Sequence, residues 1–412
     1  MNKQHLFLSM VFTLAVLLIV PSGCKKDENP APPKISTLMA DDMDLNGATP
    51  PTNVSTTPVI KATFNVAIDP ATANSGSITM TQDYDNADIP LVVTVSGKEI
   101  TITPQQELGM GALYKLNFSA DVMSTDGLAV EAFSRSFTTM GTFAPSGAIA
   151  YWNFENNADD QVGNFNPMAN GVIDITYAAS HNDASGMAAQ FNGNTSLIEI
   201  PNGDQLMNNG DFALSFWVMA DSTQHGQFTM GLAGWNGFQF EIAGDYGSCK
   251  LAAQYAYADG TSGSEDLWFP GTGLTPDSWQ GWTFQKDLTN SGGVKALLAD
   301  KWANIVCVYN SATKVGTMYI NGEKMKAQDF NLWPEGDIKT TVTGLKYAGN
   351  PGNNILAFGF IQAPVDPSIT DAWADYNNPD NNHFKGMLDD VSVYHKVLTE
   401  KEIQLMYNSG KP

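Results

Sequence analysis

Leu91-Val92-Val93-Thr94-Val95, Glu99-Ile100-Thr101-Ile102-Thr103 and Tyr114-Lys115-Leu116-Asn117-Phe118 are short runs separated by turn residues, and several alternate apolar with polar side chains. That alternation is the period of a strand with one face buried and the other wet. Val59-Ile60-Lys61-Ala62-Thr63-Phe64 and Ser77-Ile78-Thr79-Met80 have the same texture at the spacing of a β-sandwich. Residues 35–140 therefore read as one all-β domain.

Composition agrees. The chain has 412 residues, enough for two or three domains, with 37 Gly and 21 Pro in a turn-rich background. Its 43 Asp+Glu against 21 Lys+Arg give a net charge of −22, which a nucleic-acid backbone would repel. Three cysteines exclude a disulfide-stapled scaffold.

The N-terminus sets the expected location. Lys3, an apolar run from Leu6 to Val20 and then Pro21-Ser22-Gly23-Cys24 read as a secretory signal over 1–23, too short for a comfortable membrane span. Ser-Gly-Cys resembles a bacterial lipobox, which implies lipidation of Cys24; Pro21 departs from the usual Leu. Lys25-Lys26-Asp27-Glu28 resembles the surface-export signal of lipoproteins from the Bacteroidetes phylum. Residues 24–34 then form the lipidated Cys and a Pro-rich tether. The expectation is a monomer anchored by lipid to the outer membrane and exposed at the cell surface.

Within the first domain, Asn46-Gly47-Ala48-Thr49-Pro50, Thr63-Phe64-Asn65-Val66-Ala67-Ile68-Asp69-Pro70, Ile102-Thr103-Pro104 and Ser136-Phe137-Thr138-Thr139 resemble the bacterial Ig-like domain of surface proteins. The resemblance implies a spacer. After a linker at 141–147, residues 148–412 carry Ala150-Tyr151-Trp152-Asn153-Phe154-Glu155, Phe212-Ala213-Leu214-Ser215-Phe216-Trp217-Val218 and Gly316-Thr317-Met318-Tyr319-Ile320-Asn321-Gly322. They close on Phe384-Lys385-Gly386-Met387-Leu388-Asp389-Asp390-Val391-Ser392-Val393-Tyr394. These resemble the laminin-G-like, concanavalin A-like jelly roll. The predicted fold is all-β: an Ig-like sandwich, a jelly-roll sandwich and a short C-terminal helix. For that helix Thr399 and Glu402 have capping-box spacing, and Gly410 stops it. Residues 249–300 and 364–383 read as loop insertions.

Jelly rolls of this kind include glycosidases, which need two carboxylates about 5–9.5 Å apart. Residues i and i+2 on a strand meet that at about 6.6 Å. The i, i+2 acidic pairs are Asp42/Asp44, Asp83/Asp85, Glu335/Asp337 and Glu400/Glu402, none in an apolar strand of the second domain. Glu241 and Asp245 have i, i+4 spacing, about 13 Å on a strand; a pair from distant strands stays open. The histidines lack metalloprotease spacing and no nucleophile elbow is present. Cys307, in an apolar run, reads as core, while export would also permit a Cys249–Cys307 disulfide.

Sugars are held by aromatic rings against C–H faces and by polar groups that fix hydroxyls. Trp235, Trp268, Trp279 and Trp282, with Trp373, Asp375, Tyr376 and Asn381 in the second insertion, are the candidate ligand residues. They can equally anchor loops over the sandwich edge. Trp152, Phe154, Phe216 and Trp302 lie in strand patterns and read as core. The laminin-G-like resemblance implies a structural Ca2+ at the rim, by position at Asp160, the backbone carbonyl of Asn192 or Gly193, and Asp389, with a second site in the loop Asp371 to Asp380. The reading is a non-catalytic surface lipoprotein that binds polysaccharide or a glycoconjugate through the jelly roll. Its rivals are a glycoside hydrolase or lyase, and an adhesin for host or matrix protein.

Overall fold

The computed structural model describes residues 32–223, 225–271, 281–350, 354–365 and 368–412. Cys24 and Trp279 lie outside them. The first part is two antiparallel sheets. One has five strands in the order Met43–Asp44, Ile35–Ala40, Ile60–Phe64, Glu99–Pro104, Leu91–Ser96. The other has four, Asp88–Ile89, Ile78–Gln82, Leu113–Phe118, Phe133–Thr138. The alternation sends Ile100 and Ile102 inward from one sheet and Tyr114, Leu116 and Phe118 from the other.

The second part is a larger sandwich. A nine-stranded sheet runs Thr176–Ala179, Met187–Asn192, Lys385–Tyr394, Phe212–Ala220, Trp302–Asn310, Val315–Ile320, Glu323–Asp329, Trp282–Gln285, with Ala148–Trp152 also paired to Lys385–Tyr394. Facing it is an eight-stranded sheet of Val172–Ile173, Leu197–Ile200, Leu356–Phe358, Gln227–Leu232, Phe238–Ile242, Cys249–Tyr257 and Ser262–Phe269, with Val342–Leu345 on Cys249–Tyr257. The core between them holds Trp152, Phe154, Phe216, Phe238 and Phe240. Cys249 and Cys307 are buried there as free thiols.

Part of the expected first insertion is therefore sheet. Cys249–Tyr257 and Ser262–Phe269 form a hairpin whose Cys249, Leu251, Ala253 and Tyr255 enter the core while Lys250 and Gln254 stay half-buried on the outer face. Trp302 also departs from expectation: it is half-buried, edge-on to His181 at 5.6 Å.

Both outer faces are covered in part. Beyond the nine-stranded sheet, Ala213, Val306, Val308, Tyr319 and Tyr394 join Leu398, Ile403 and Met406 of the C-terminal segment and the first domain's core in one apolar cluster. The helix Glu400–Gly410 starts with the expected capping box, Thr399 accepting from the Glu402 amide and Glu402 accepting from the Thr399 amide. The helix is tied to the first domain by Lys401 Nζ donating to the Asp83 carbonyl at 2.8 Å, and to the linker by the Phe143 amide donating to Ser409 Oγ at 2.9 Å. Among the described residues no helix is long and apolar enough to cross a membrane.

Candidate functional site

Residues 359–365 and 368–383 lie as a strap on the outer face of the eight-stranded sheet. Two glycines permit the close approach: a Cβ on Gly231 would stand 1.9 Å from the Ile361 carbonyl oxygen, and one on Gly234 2.2 Å from Ile369 Cδ1. Under the strap Phe228, Leu197 and Ala357 meet Phe360, Ile361, Ile369 and Ala374 in a small apolar cluster.

Buried amides fix the strap's shape. Gln362 Nε2 donates to the Ile369 carbonyl at 2.8 Å and its Oε1 accepts from the Ile369 amide at 2.9 Å. Asn381 Nδ2 donates to the carbonyls of Ala372 and Asp375 at 2.9 and 2.6 Å. His383 is buried, stacked on Phe360 at 4.4 Å with Nε2 donating to the Tyr376 carbonyl at 3.0 Å. Burial pulls its pKa below 6.5. Tyr376 is itself tied down, its hydroxyl donating to the Thr195 carbonyl.

The strap presents rings and polar groups together. Trp373 leans on Phe228, centroids 6.1 Å apart, and meets Trp235 at 5.5 Å and 57°. Trp235, on the turn Gly234–Asn236, is 43% exposed. On the same strap is a cavity of about 350 Å3 lined by Gln362, Ile369, Asp371, Asp375, Tyr376 and Asn377. Trp235, Trp373, Asp375, Tyr376 and Asn381 are thus gathered in one region, Tyr376 and Asn381 mainly as its braces.

The other tryptophans are elsewhere. Trp282 is buried on an edge strand with Lys326 Nζ 3.5 Å over its ring. Trp268 is half-buried on the outer face of the eight-stranded sheet, where the cross-strand row reads Phe228, Glu241, Lys250, Trp268. Three strand spacings, about 14 Å, separate its ends. In the middle, Lys250 Nζ stands 3.5 Å from Glu241 and 3.1 Å from Asp266, which puts the two carboxylates inside the upper limit of about 9.5 Å for a glycosidase pair. Burial raises the Glu241 pKa despite the opposing lysine. Sequence spacing did not reveal this pair because it spans three strands. Gln362 and Ile369 were also missed; the signal available for them was the glycines at 231 and 234.

The residues expected to hold calcium have partners within the protein. Both Asp160 oxygens are occupied by amides, Oδ1 by Tyr151 and Val162 at 2.8 and 3.0 Å, Oδ2 by Asn164 and Phe165 at 2.8 and 2.9 Å. Asn192 Oδ1 accepts from the amides of Asn194, Thr195 and Ser196. Asn192 pairs with Lys385, four residues and so about 13 Å along the strand from Asp389. Asp389 contacts His181, a nitrogen donor that calcium does not seek. In the strap, Asp375 Oδ1 accepts from the Asn377 amide at 3.0 Å. Among the described residues the strap holds no group of three carboxylates or histidines that converge.

The two sandwiches have counterparts in known families. Residues 43–139 match the family described as bacterial Ig-like domain, and residues 192–351 match the concanavalin A-like lectin/glucanases superfamily. The chain carries a bacterial Ig-like domain followed by a concanavalin A-like domain. Similar solved structures include the binding domain of Paraclostridial Mosquitocidal Protein 1, with TM-score 0.40 and 15% identity over 64% of this chain and 52% of that one. The botulinum neurotoxin type G receptor binding domain has TM-score 0.39 and 14% identity over 64% and 51%. The botulinum neurotoxin serotype D ligand binding domain in complex with N-acetylneuraminic acid has TM-score 0.40 and 13% identity over 65% and 54%. The match thus spans about half the length of each. No curated protein matches the chain in sequence. In the concanavalin A-like domain the strap and Trp235 are the candidate ligand site.

Proposed function

We propose that this protein is a non-catalytic glycan-binding lipoprotein, held by lipid on Cys24 in the outer membrane and displayed at the cell surface. The concanavalin A-like domain binds a polysaccharide or glycoconjugate, and the Ig-like domain is its spacer. The observation that carries the reading is that Trp373 of the strap pairs with Trp235 of the sheet, and that the same strap carries a cavity of about 350 Å3 with polar and apolar lining. Rings of that kind take the C–H faces of a sugar, and Asp371, Asp375 and Asn377 supply groups for its hydroxyls.

Affinity electrophoresis and a glycan array of the full chain test it. Retention on at least one polysaccharide, lost in Trp373→Ala, is expected; retention on none overturns it. Radiolabelled fatty acid incorporated by the wild type and not by Cys24→Ala tests the anchor.

The Glu241–Asp266 pair favours a second reading, glycoside hydrolysis, with Glu241 as the acid. Lys250 stands between them and pairs with both carboxylates, which is why binding is preferred. Release of reducing ends, abolished in Glu241→Gln, would decide for hydrolysis.

A further inference from the structure

A second site lies away from the strap, under the end of the C-terminal helix. The strand Lys385–Tyr394 sends Leu388 and Val391 into the core, yet two residues stand between them. A bulge resolves the mismatch: the register shifts between the pairs Ser215↔Ser392 and Trp217↔Asp389, and Asp390 takes a left-handed φ of 47°. Asp389 and Asp390 therefore both face outward, two carboxylates side by side where an unbroken strand would have split them.

His181 lies against both. Its ring stacks on Trp217 at 4.1 Å, and Nε2 stands 3.2 Å from Asp390 Oδ2 and 3.6 Å from Asp389 Oδ2. The other nitrogen, Nδ1, is 2.5 Å from the Gly410 carbonyl and 2.9 Å from Ser185 Oγ. A proton on Nδ1 satisfies that carbonyl and leaves the Nε2 lone pair facing two carboxylate oxygens. The remaining oxygens are engaged: Asp389 Oδ1 accepts from the Asp390 amide at 2.8 Å, and Asp390 Oδ1 from the Tyr151 hydroxyl at 2.6 Å. Nε2 and one oxygen of each Asp thus converge within 4.8 Å, with Asp389 Oδ2 also accepting from the Ser180 hydroxyl.

We propose that His181 Nε2, Asp389 Oδ2 and Asp390 Oδ2 are three ligands of a structural zinc ion. Bonds of 2.0–2.1 Å in a tetrahedral site place neighbouring ligand atoms about 3.3 Å apart, close to the two nitrogen–oxygen separations. One nitrogen with two carboxylates is too few oxygens for calcium and suits zinc. A histidine whose second nitrogen donates to a backbone carbonyl, and carboxylates held by a hydroxyl and an amide, are the supports such ligands have. On the Asp390 side of the cluster is a cavity of about 10 Å3, room for one water, lined by Tyr151, Ser215 and Trp217. Ser215 Oγ in that lining is buried without a partner of its own.

The ion's role follows from Gly410. A Cβ there would fall 2.6 Å from the Trp217 ring and 3.1 Å from His181 Cε1, so the helix end seats directly on the ligand histidine. Zinc fixes His181, and His181 fixes the helix that contacts the Ig-like domain. Metal affinity becomes folding stability of that junction.

The purified full chain, stripped with chelator and dialysed, is titrated with Zn2+ while melting is followed. One equivalent bound with a higher Tm is expected, and Co2+ in its place should give the visible absorption of a tetrahedral site. His181→Gln and Asp390→Asn should each lose stoichiometric binding; should either fail to fold, the Co2+ spectrum of the wild type decides. No uptake by the wild type, or one equivalent still bound by folded His181→Gln, overturns the proposal.

Discussion

Trp235 and Trp373, far apart in sequence, meet with ring centroids 5.5 Å apart at 57°, one from a turn of the sheet and the other from the strap that crosses it. Each holds the other's edge, so the exposed face belongs to the pair. Trp235→Ala removes a ring that is 43% exposed and should leave Tm nearly unchanged. Loss of a stacking surface worth about 1.4 kcal/mol should weaken glycan retention roughly tenfold. Trp373→Ala also uncovers Phe228 and should cost about 1–2 kcal/mol of stability. Equal melting losses in the two variants, measured by calorimetry, would contradict this division.

Gly231→Ala should separate strap seating from ring chemistry. The added methyl meets the Ile361 backbone oxygen at 1.9 Å, which no rotamer can relieve. Overpacking of that kind costs about 1–3 kcal/mol, and the strap must lift. Faster amide exchange at 360–376, with both tryptophans intact and binding weakened, is the expected outcome. Native-like protection there would show that the strap is seated by other contacts.

The alternation in Glu99–Pro104 and Leu113–Phe118 and the cap at Thr399 made the sandwich class and the tail helix legible from sequence, because each signal lies within one element. Rings concentrated in polar sequence likewise pointed to the strap. The hairpin Cys249–Phe269 alternates less regularly, and the Gly and Asp residues between its strands and before Trp268 masked it as loop. What no local pattern carries is contact across the chain. His181 reaches Asp390 over 209 residues, and the bulge that turns both aspartates to one side shows only in the register. Nor does sequence show that the Asp160 carboxylate is spent on nearby amides.

His383 should make the strap sensitive to acid. Burial lowers its pKa from 6.5, so the unfolded chain takes up the proton before the folded one does. Its contribution is therefore fully present above pH 6.5 and is lost as pH falls below it. Tryptophan emission and glycan retention should both decline between pH 7 and 5, and the His383→Gln variant should respond less steeply. An unchanged slope in that variant would assign the acid response to other groups.

Cys249 and Cys307 should be chemically silent in the native chain. Both are fully buried, and burial pushes the Cys249 thiol up to about 12, so thiolate is scarce at neutral pH. On chain in which Cys24 is blocked or replaced, a thiol reagent should label neither residue until guanidinium is added and then label both. Rapid native labelling would mean that the sandwich opens locally.

The C-terminal helix is the last test, because it touches both domains. Ile403 has no exposed surface and sits in the apolar cluster shared by the Ig-like core and the outer face of the nine-stranded sheet. Ile403→Asp places an unpaired carboxylate in that cluster, at a cost of several kcal/mol unless the helix leaves its seat. Undocking is the cheaper response, since it returns the charge to water and keeps each sandwich core intact. The helix would take with it the Ser409 and Lys401 hydrogen bonds to Phe143 and Asp83. Calorimetry should then resolve two transitions where the wild type shows one, and small-angle scattering should report a longer particle. A single transition at lower temperature, with unchanged dimensions, would mean that the sandwiches are joined by their own surfaces and that the helix only lies over the seam.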